Sequence, residues 1–376
     1  MNILILHSSS DLYGASKILI STVQVFNKEG HEVLVVLTED GPLVSELQRM
    51  GANVLFIHLG ILRRKYKTPM GILNRLWVMR KAYFSIKQLI KQRNITLVYS
   101  NTTAVLIGAF VAKKLNIQHI WHVHEILEKP KWLYRFLGGT LNKFSTKVIV
   151  VSEAVKKSWG KYVEVKKLHL IYSGIDYSPY FIPSPKLKTT LGIEDEVMVI
   201  GMIGRVHFWK GQDYFLQIAA ELIKRISSVK FVMIGDAFPG NEFLYKKIDL
   251  LIKLGKLESV VIDLGYRSDV SELLQGFDIF ILPSTLPDPF PTVLLEAMAS
   301  AIPVVATRQG GAMEMIEENI SGCFIELNAP FEASLQIEKL IHNKAFRTQL
   351  GEAGRKKVIT SYSADAFEKK MLKILE

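Results

Sequence analysis

Twelve short apolar runs, six in each half of the chain, constrain its fold more than any other feature. In the first half they are Asn2–His7, Glu32–Leu37, Ala52–His58, Leu97–Ser100, Gln118–His122 and Lys147–Val151. In the second they are Val197–Met202, Lys230–Ile234, Val260–Leu264, Ile279–Leu282, Pro303–Ala306 and Gly322–Ile325. Strands this apolar must be covered on both faces, and helical patterning fills the intervals, so each run reads as a buried parallel strand of a βαβ unit. Between the two arrays, Asp176–Pro185 holds Pro179, Pro183 and Pro185 and loses the periodicity, which marks a linker. At 376 residues, against roughly 100–200 per domain, the chain has room for one domain from each array. The expected architecture is α/β: two doubly wound domains, 1–177 and 178–360, facing each other across a cleft. A terminal helix, about 361–376, is expected to pack back onto the first. Ligands of such folds bind beyond the carboxyl ends of the strands.

Charge separates the two halves. Residues 1–180 hold 25 Lys and Arg against 11 Asp and Glu, a balance of +14, whereas residues 181–376 hold 22 against 25, a balance of −3. A half this basic suits an anionic partner, nucleic acid or acidic lipid. The single cysteine, Cys323, excludes an intramolecular disulfide and any cysteine-clustered metal site, and a reducing compartment is expected. The start, MNILILHSSSD, lacks a basic leader region, and no apolar run reaches 18 residues, so a cytoplasmic protein is expected.

No P-loop is present, and Gly201 and Gly204 have the wrong spacing for a dinucleotide fingerprint. The strand at Val197–Met202 leads instead into Gly204, Arg205, Lys210 and Gly211. Two cations five residues apart before a helix could converge on a diphosphate, one as a planar fork and one as a point charge; solvated loop cations fit the same spacing. Further on, DPFPTVLLEAMASAIPVV reads as a buried helix with Pro291 in its first turn. Thr292 and Val293 there offer amides at the positive end of the helix dipole. Glu296 is a carboxylate in an apolar helix and needs partners, either a sugar diol or an internal ion pair. Asp288 stands just before the helix, where capping is its alternative role. Gly310–Gly311 permits a close backbone approach, to a ligand or within a tight turn. In the first half, His122 and His124 share one side of a strand end, and Glu125 could orient an imidazole.

These stretches resemble the glycosyltransferases of family 4. The matching segments are IYSGID (171–176), GRVHFWKG (204–211), IGD (234–236), PDPFPTVLLEAMA (287–299) and PVVATRQGGAME (303–314). Looser agreement comes from LYGAS (12–16), GHEV (30–33) and HVHE (122–125). The resemblance implies two Rossmann-like domains of the GT-B type and a nucleotide-diphosphate sugar as donor substrate. It implies no cofactor, no metal, and transfer with retention onto a saccharide in surface polysaccharide biosynthesis. Arg205 and Lys210 would bind the donor diphosphate, Glu296 the ribose, and Thr292 and Val293 would give amides near the phosphates. Gly14 would lie under the diphosphate, and His124 would touch the donor sugar near the reaction centre. Three positions depart from the family pattern: Asp288 replaces the first glutamate of an acidic pair, Pro291 replaces a glycine, and Tyr13 replaces the first of two glycines.

The segment Arg63–Arg93 carries much of the first half's charge. From Met70 it has helical period, with Leu73, Leu76, Trp77, Tyr83, Phe84, Ile86 and Ile90 on an apolar side and Arg75, Arg80, Lys81, Lys87 and Lys91 elsewhere. A core helix with a basic outer face fits this pattern. So does a surface lying on anionic lipid, with a second contact at Lys129, Lys131, Trp132, Arg135 and Lys143. The second reading suits a polyprenyl-diphosphate-linked acceptor and a peripheral position on the cytoplasmic face of a membrane. Two alternatives complete the set: a nucleotide-sugar epimerase or hydrolase on the same fold, and a nucleic-acid-binding module. The latter leaves Arg205, Lys210 and Glu296 unexplained, so no nucleic acid partner is expected.

Overall fold

The computed structural model describes residues 1–61, 68–127, 130–237 and 240–376. They form two compact units, residues 1–175 with 364–376 and residues 176–363.

In the first unit, seven strands make one parallel sheet: β1 (Asn2–His7), β2 (Glu32–Leu37), β3 (Asn53–Phe56), β4 (Leu97–Asn101), β5 (Gln118–Val123), β6 (Lys147–Val150) and β7 (Leu168–Leu170). Their order is β3-β2-β1-β4-β5-β6-β7. Alternation along β1 explains why the strands are apolar throughout. Ile3 and Ile5 pack on one face with Ile18, Phe26 and Leu43, while Leu4 and Leu6 pack on the other with Ile86 and Ile90. The last helix, Ala364–Lys373, buries Phe367 and Met371 in the first of these cores, and Lys147 Nζ donates to the Ile374 carbonyl at 2.8 Å.

The second unit repeats the scheme with six parallel strands: β8 (Met198–Ile203), β9 (Val229–Ile234), β10 (Val261–Asp263), β11 (Ile279–Leu282), β12 (Val304–Thr307) and β13 (Cys323–Ile325), in the order β10-β9-β8-β11-β12-β13. In both sheets the order reverses beside the first strand, at β1/β4 and at β8/β11. This is the switch point where doubly wound folds open a crevice.

Three details differ from the expectations drawn from sequence. β7 is an additional strand, because three residues preceded by Lys166 and Lys167 make too short an apolar run to stand out. β3 spans only Asn53–Phe56 and lies at the sheet edge with Leu55 and Phe56 exposed, so it is not covered on both faces. Asp176–Pro185 is not a free linker but part of the second unit, since Tyr177 and Tyr180 are buried there and Ser178–Tyr180 forms a 3-10 turn.

The helix Pro69–Gln92 buries Ala82, Ile86, Leu89 and Ile90, yet Met70, Ile72, Leu73, Leu76, Trp77 and Phe84 are each more than half exposed. Lys81 Nζ sits 3.5 Å from the centroid of the Trp77 ring. Trp132 and Phe136, on the helix Lys131–Phe144, are likewise exposed. Arg63, Arg64, Lys65, Lys67 and Lys129 lie outside the described residues.

Gly211 joins the two switch-point loops of the second unit. Its φ is +83°, and a Cβ there would fall 1.9 Å from the Pro283 carbonyl oxygen. Gly211→Ala should therefore cost about 2–4 kcal/mol. Gly192, at φ +62° with open space around it, should cost only about 1 kcal/mol when changed to alanine. Thermal unfolding of both variants checks this, and equal losses would mean that the Pro283 collision is not felt.

Candidate active site

In the second unit, the residues singled out from the sequence gather around two loops at the carboxyl end of the sheet. After β8 the chain turns through Gly204 to Arg205, and the helix Gln212–Leu222 begins directly after Gly211. The Gln212 side-chain amide donates to the Arg205 carbonyl at 3.0 Å and so fixes the turn. Gly235 (φ +140°) permits a neighbouring loop to lie against this one: a Cβ there would stand 2.1 Å from the Gly204 carbonyl oxygen. The Thr285 amide donates to the Trp209 carbonyl at 2.8 Å, tying the loop after β11 to the loop that carries Lys210. Arg205 and Lys210 therefore project from one short braced loop, and both side chains are partly exposed.

Lys210 meets Asp288. Its Nζ lies 2.5 Å from Asp288 Oδ2 and 4.4 Å from the Trp209 ring centroid, with both members of the pair largely buried. Asp288 does not hold the cap position of the following helix: Pro291 does, and it makes no side-chain capping bond. The glycine pair supports Asp288. The Gly311 amide donates to the Asp288 carbonyl at 2.8 Å, and a Cβ on Gly310 (φ +59°) would stand 2.3 Å from that oxygen. The close approach that Gly310–Gly311 allows is thus to the Asp288 backbone.

The helix Thr292–Ala299 starts one residue after Pro291, so Pro291 precedes the first turn and is not within it. Thr292 and Val293 lie at its partly exposed N-terminus, and the helix has no acidic residue in its first turn to compete for the dipole. Glu296 faces inward at 1% exposure. The Tyr180 hydroxyl is bonded to it, and burial together with the Glu296 carboxylate pushes the Tyr180 and Tyr177 hydroxyls well above their usual range. The Tyr177 hydroxyl is buried with no hydrogen-bond partner among the described residues. Gln275 bridges the Tyr180 carbonyl and the Ser300 hydroxyl, which donates to the Glu296 carbonyl at 3.1 Å. Sequence reasoning misses Tyr177 and Tyr180, because the proline density around them resembles a linker.

In the first unit, strand register sets His7, Asn101 and His122 side by side at the ends of β1, β4 and β5. His124, just past β5, is half-buried, with its Nε2 2.7 Å from Asn101 Oδ1 and its ring 4.2 Å from that of His122. Glu125 does not orient an imidazole. Its carboxylate accepts the backbone amides of Thr103 (3.0 Å) and His124 (3.1 Å), while burial pushes its pKa up to about 7. The Tyr99 hydroxyl holds His122 Nδ1 at 2.6 Å. Burial lowers His122 to a pKa of about 3 and takes His124 well below the usual imidazole range, so both rings are neutral at physiological pH. Gly14 opens the helix Gly14–Lys28, with open space where a Cβ would be. Asn101 and Tyr99 also escape sequence reasoning; the cue is a polar trio, Ser100-Asn101-Thr102, closing an apolar strand.

Residues 13–178 match the family described as Glycosyltransferase Family 4, and residues 184–357 match Glycosyl transferases group 1. A glycosyltransferase of Methanocaldococcus jannaschii is 30% identical over 283 residues, which is 73% of this chain and 73% of that one. The UDP-Gal:alpha-D-GlcNAc-diphosphoundecaprenol alpha-1,3-galactosyltransferase of Escherichia coli is 23% identical over 333 residues, covering 84% of this chain and 82% of its own length. The crystal structure of Anabaena HepE in complex with UDP-glucose matches at a TM-score of 0.87 and 26% identity, over 100% of this chain and 99% of that one. With two parallel Rossmann-like sheets, each unit matched by its own family description, the chain belongs to the family 4 glycosyltransferases.

Proposed function

We propose that the chain is a retaining glycosyltransferase that moves a sugar from a nucleotide-diphosphate sugar onto a lipid-linked saccharide, as a step of surface polysaccharide synthesis. The observation that carries this reading is the Lys210–Asp288 pair set beside the helix that presents Thr292, Val293 and the buried Glu296. HepE binds UDP-glucose, and the E. coli relative is named for UDP-Gal and a diphosphoundecaprenol acceptor, which supports a uridine nucleotide and a polyprenyl carrier here.

The charges set the chemistry. A donor diphosphate entering the second unit would replace Asp288 as the partner of Lys210, with Arg205 and the helix N-terminus adding positive potential. Asp288, released, can accept from a hydroxyl of the transferred sugar, and Glu296 from the ribose diol. The acceptor hydroxyl forms its bond to the anomeric carbon as the bond to the diphosphate oxygen breaks, and the proton passes to the departing diphosphate on the same face. The negative charge on that group grows through the step, so a preorganised Lys and Arg stabilise the transition state more than the ground state. In the first unit, Gly14 leaves room for a close backbone approach and His124 can bond a sugar hydroxyl.

The basic face of the first unit supplies the acceptor's location. Among the described residues no helix is long and apolar enough to cross a membrane. The helix Pro69–Gln92 instead combines an exposed apolar stripe with Arg75, Arg80, Lys81, Lys87 and Lys91 and no acidic residue. That pairing suits peripheral contact with an anionic membrane, at about 1 kcal/mol per basic residue near the surface.

Glu296→Gln should weaken donor binding by about 1.5–3 kcal/mol, the range for hydrogen bonds to a charged group. Calorimetric titration with UDP-glucose measures it; unchanged affinity with a collapsed melting temperature would make Glu296 structural.

Lys210→Ala and Arg205→Ala should both cut turnover, with EDTA present throughout, and the first should also unfold easily. Removing Lys210 strands a nearly buried carboxylate, at a cost of about 3–5 kcal/mol. Adding Asp288→Asn to Lys210→Ala should restore stability and leave turnover low. Recovery of both would remove Lys210 from the chemistry, and dependence on Mg²⁺ or Mn²⁺ would overturn metal-free transfer.

The chain should sediment with vesicles containing phosphatidylglycerol and come off as salt rises, because the attraction decays within about 8 Å at physiological ionic strength. Changing Arg75, Arg80, Lys81 and Lys87 together to glutamate should abolish sedimentation and spare donor binding. Equal partitioning of both proteins would leave the helix as an ordinary basic surface.

A further inference from the structure

We infer that Asn101 is the positioning residue for His124, holding it as the neutral tautomer protonated on Nε2 and leaving its Nδ1 lone pair to accept a substrate hydroxyl. One neighbour of Asn101 has a single possible role. The Ala15 carbonyl can only accept, and the atom of the Asn101 side chain facing it, at 3.3 Å, must therefore be the amide nitrogen. That fixes the amide's orientation within a fully buried residue. Its oxygen then faces His124 Nε2 at 2.7 Å, and an amide oxygen cannot donate, so His124 Nε2 carries the proton. Its nitrogen also faces His7 Nδ1 at 3.0 Å, which must then be an acceptor.

His7 is fixed in turn. With Nδ1 accepting, its proton sits on Nε2, 3.1 Å from the Ser16 hydroxyl. Ser16 donates to Asp11 Oδ1 at 3.3 Å, and Asp11 also receives the Ser9 hydroxyl at 2.7 Å and the Tyr13 amide at 3.2 Å. The bonds from His124 to Asp11 therefore all point the same way and end on a carboxylate. Burial supports neutral rings along the array, lowering His7 to a pKa of about 4. His124 is left with one unassigned ring nitrogen, and that nitrogen can only accept. The array also joins the loop carrying Tyr13 and Gly14 to His124 through the Ala15 carbonyl, so the two first-unit features expected at the site share one brace.

The tautomer rests on geometry alone, whereas use of the lone pair by a sugar hydroxyl rests on the proposed transferase reading. Nitrogen NMR of the full chain labelled with ¹⁵N-histidine separates them, with His124→Gln and His7→Gln used for assignment. At neutral pH, His124 and His7 should both show the Nε2–H pattern. In Asn101→Asp, both side-chain oxygens accept, so His7 should turn over to donate from Nδ1, or become a cation, while His124 keeps its pattern. In Asn101→Ala, His124 should become a mixture of tautomers. If the Asn101 variants fail to fold, Ser16→Ala, which removes the acceptor of the His7 Nε2 proton and one donor to Asp11, should loosen His7 and leave His124 fixed. A wild-type His124 that is cationic or protonated on Nδ1 overturns the inference, as does a pattern indifferent to Asn101. Addition of UDP-glucose should shift the His124 Nδ1 resonance. An Nε2–H His124 that ignores the sugar nucleotide would leave Asn101's role standing and count against the transferase reading of this nitrogen.

Discussion

A parallel strand cannot be reached by a hairpin, and everything in both units depends on that constraint. Each pair of neighbouring parallel strands needs a crossover that returns over a face of the sheet, and the crossovers are helices packed on both faces. Loops that leave strands therefore collect at one end and loops that enter them at the other. Where the strand order reverses, the leaving loops part to opposite sides. Lys210 and Asp288 leave from β8 and β11, and they meet there because the topology leaves no other edge of that sheet where two such loops part.

The ion pair at that edge keeps a cation partly out of water with groups the chain itself supplies. Asp288 is almost fully buried, and Lys210 is the cation that pairs with it. Gly310 and Gly311 hold the Asp288 backbone in place, so the carboxylate is presented by a rigid loop.

The sheets are the most legible part of the sequence. Runs such as Ile3–Leu6 and Ile279–Leu282 carry their burial in their composition, because a parallel strand between two helical layers tolerates no polar face. β7 is illegible for the opposite reason: three residues at a sheet edge bury too little to leave a pattern. Site residues obey the same rule. Charged groups interrupting apolar segments, Glu296 above all, stand out because their burial demands a partner. Tyr177 and Tyr180 do not, since a buried tyrosine and a surface tyrosine read alike until the fold shows which carboxylate lies beside them. Asn101 is hidden for a related reason. Its value lies in the orientation of one amide, and that is set by Ala15, far away in sequence.

The chain leaves the first unit after residue 175 and re-enters it at residue 364. A ribosome making this protein therefore finishes the second unit before the first. Until Phe367 and Met371 emerge, the core around Ile3, Ile5 and Phe26 lacks one wall. The earliest-made strands must wait with apolar surface uncovered while the later-made sheet completes. At roughly 5–20 residues per second, the wait is on the order of 10–40 seconds. A nascent chain stalled anywhere between these crossings would carry an unfinished first unit, which gives a chaperone its longest window on the half of the protein synthesised first.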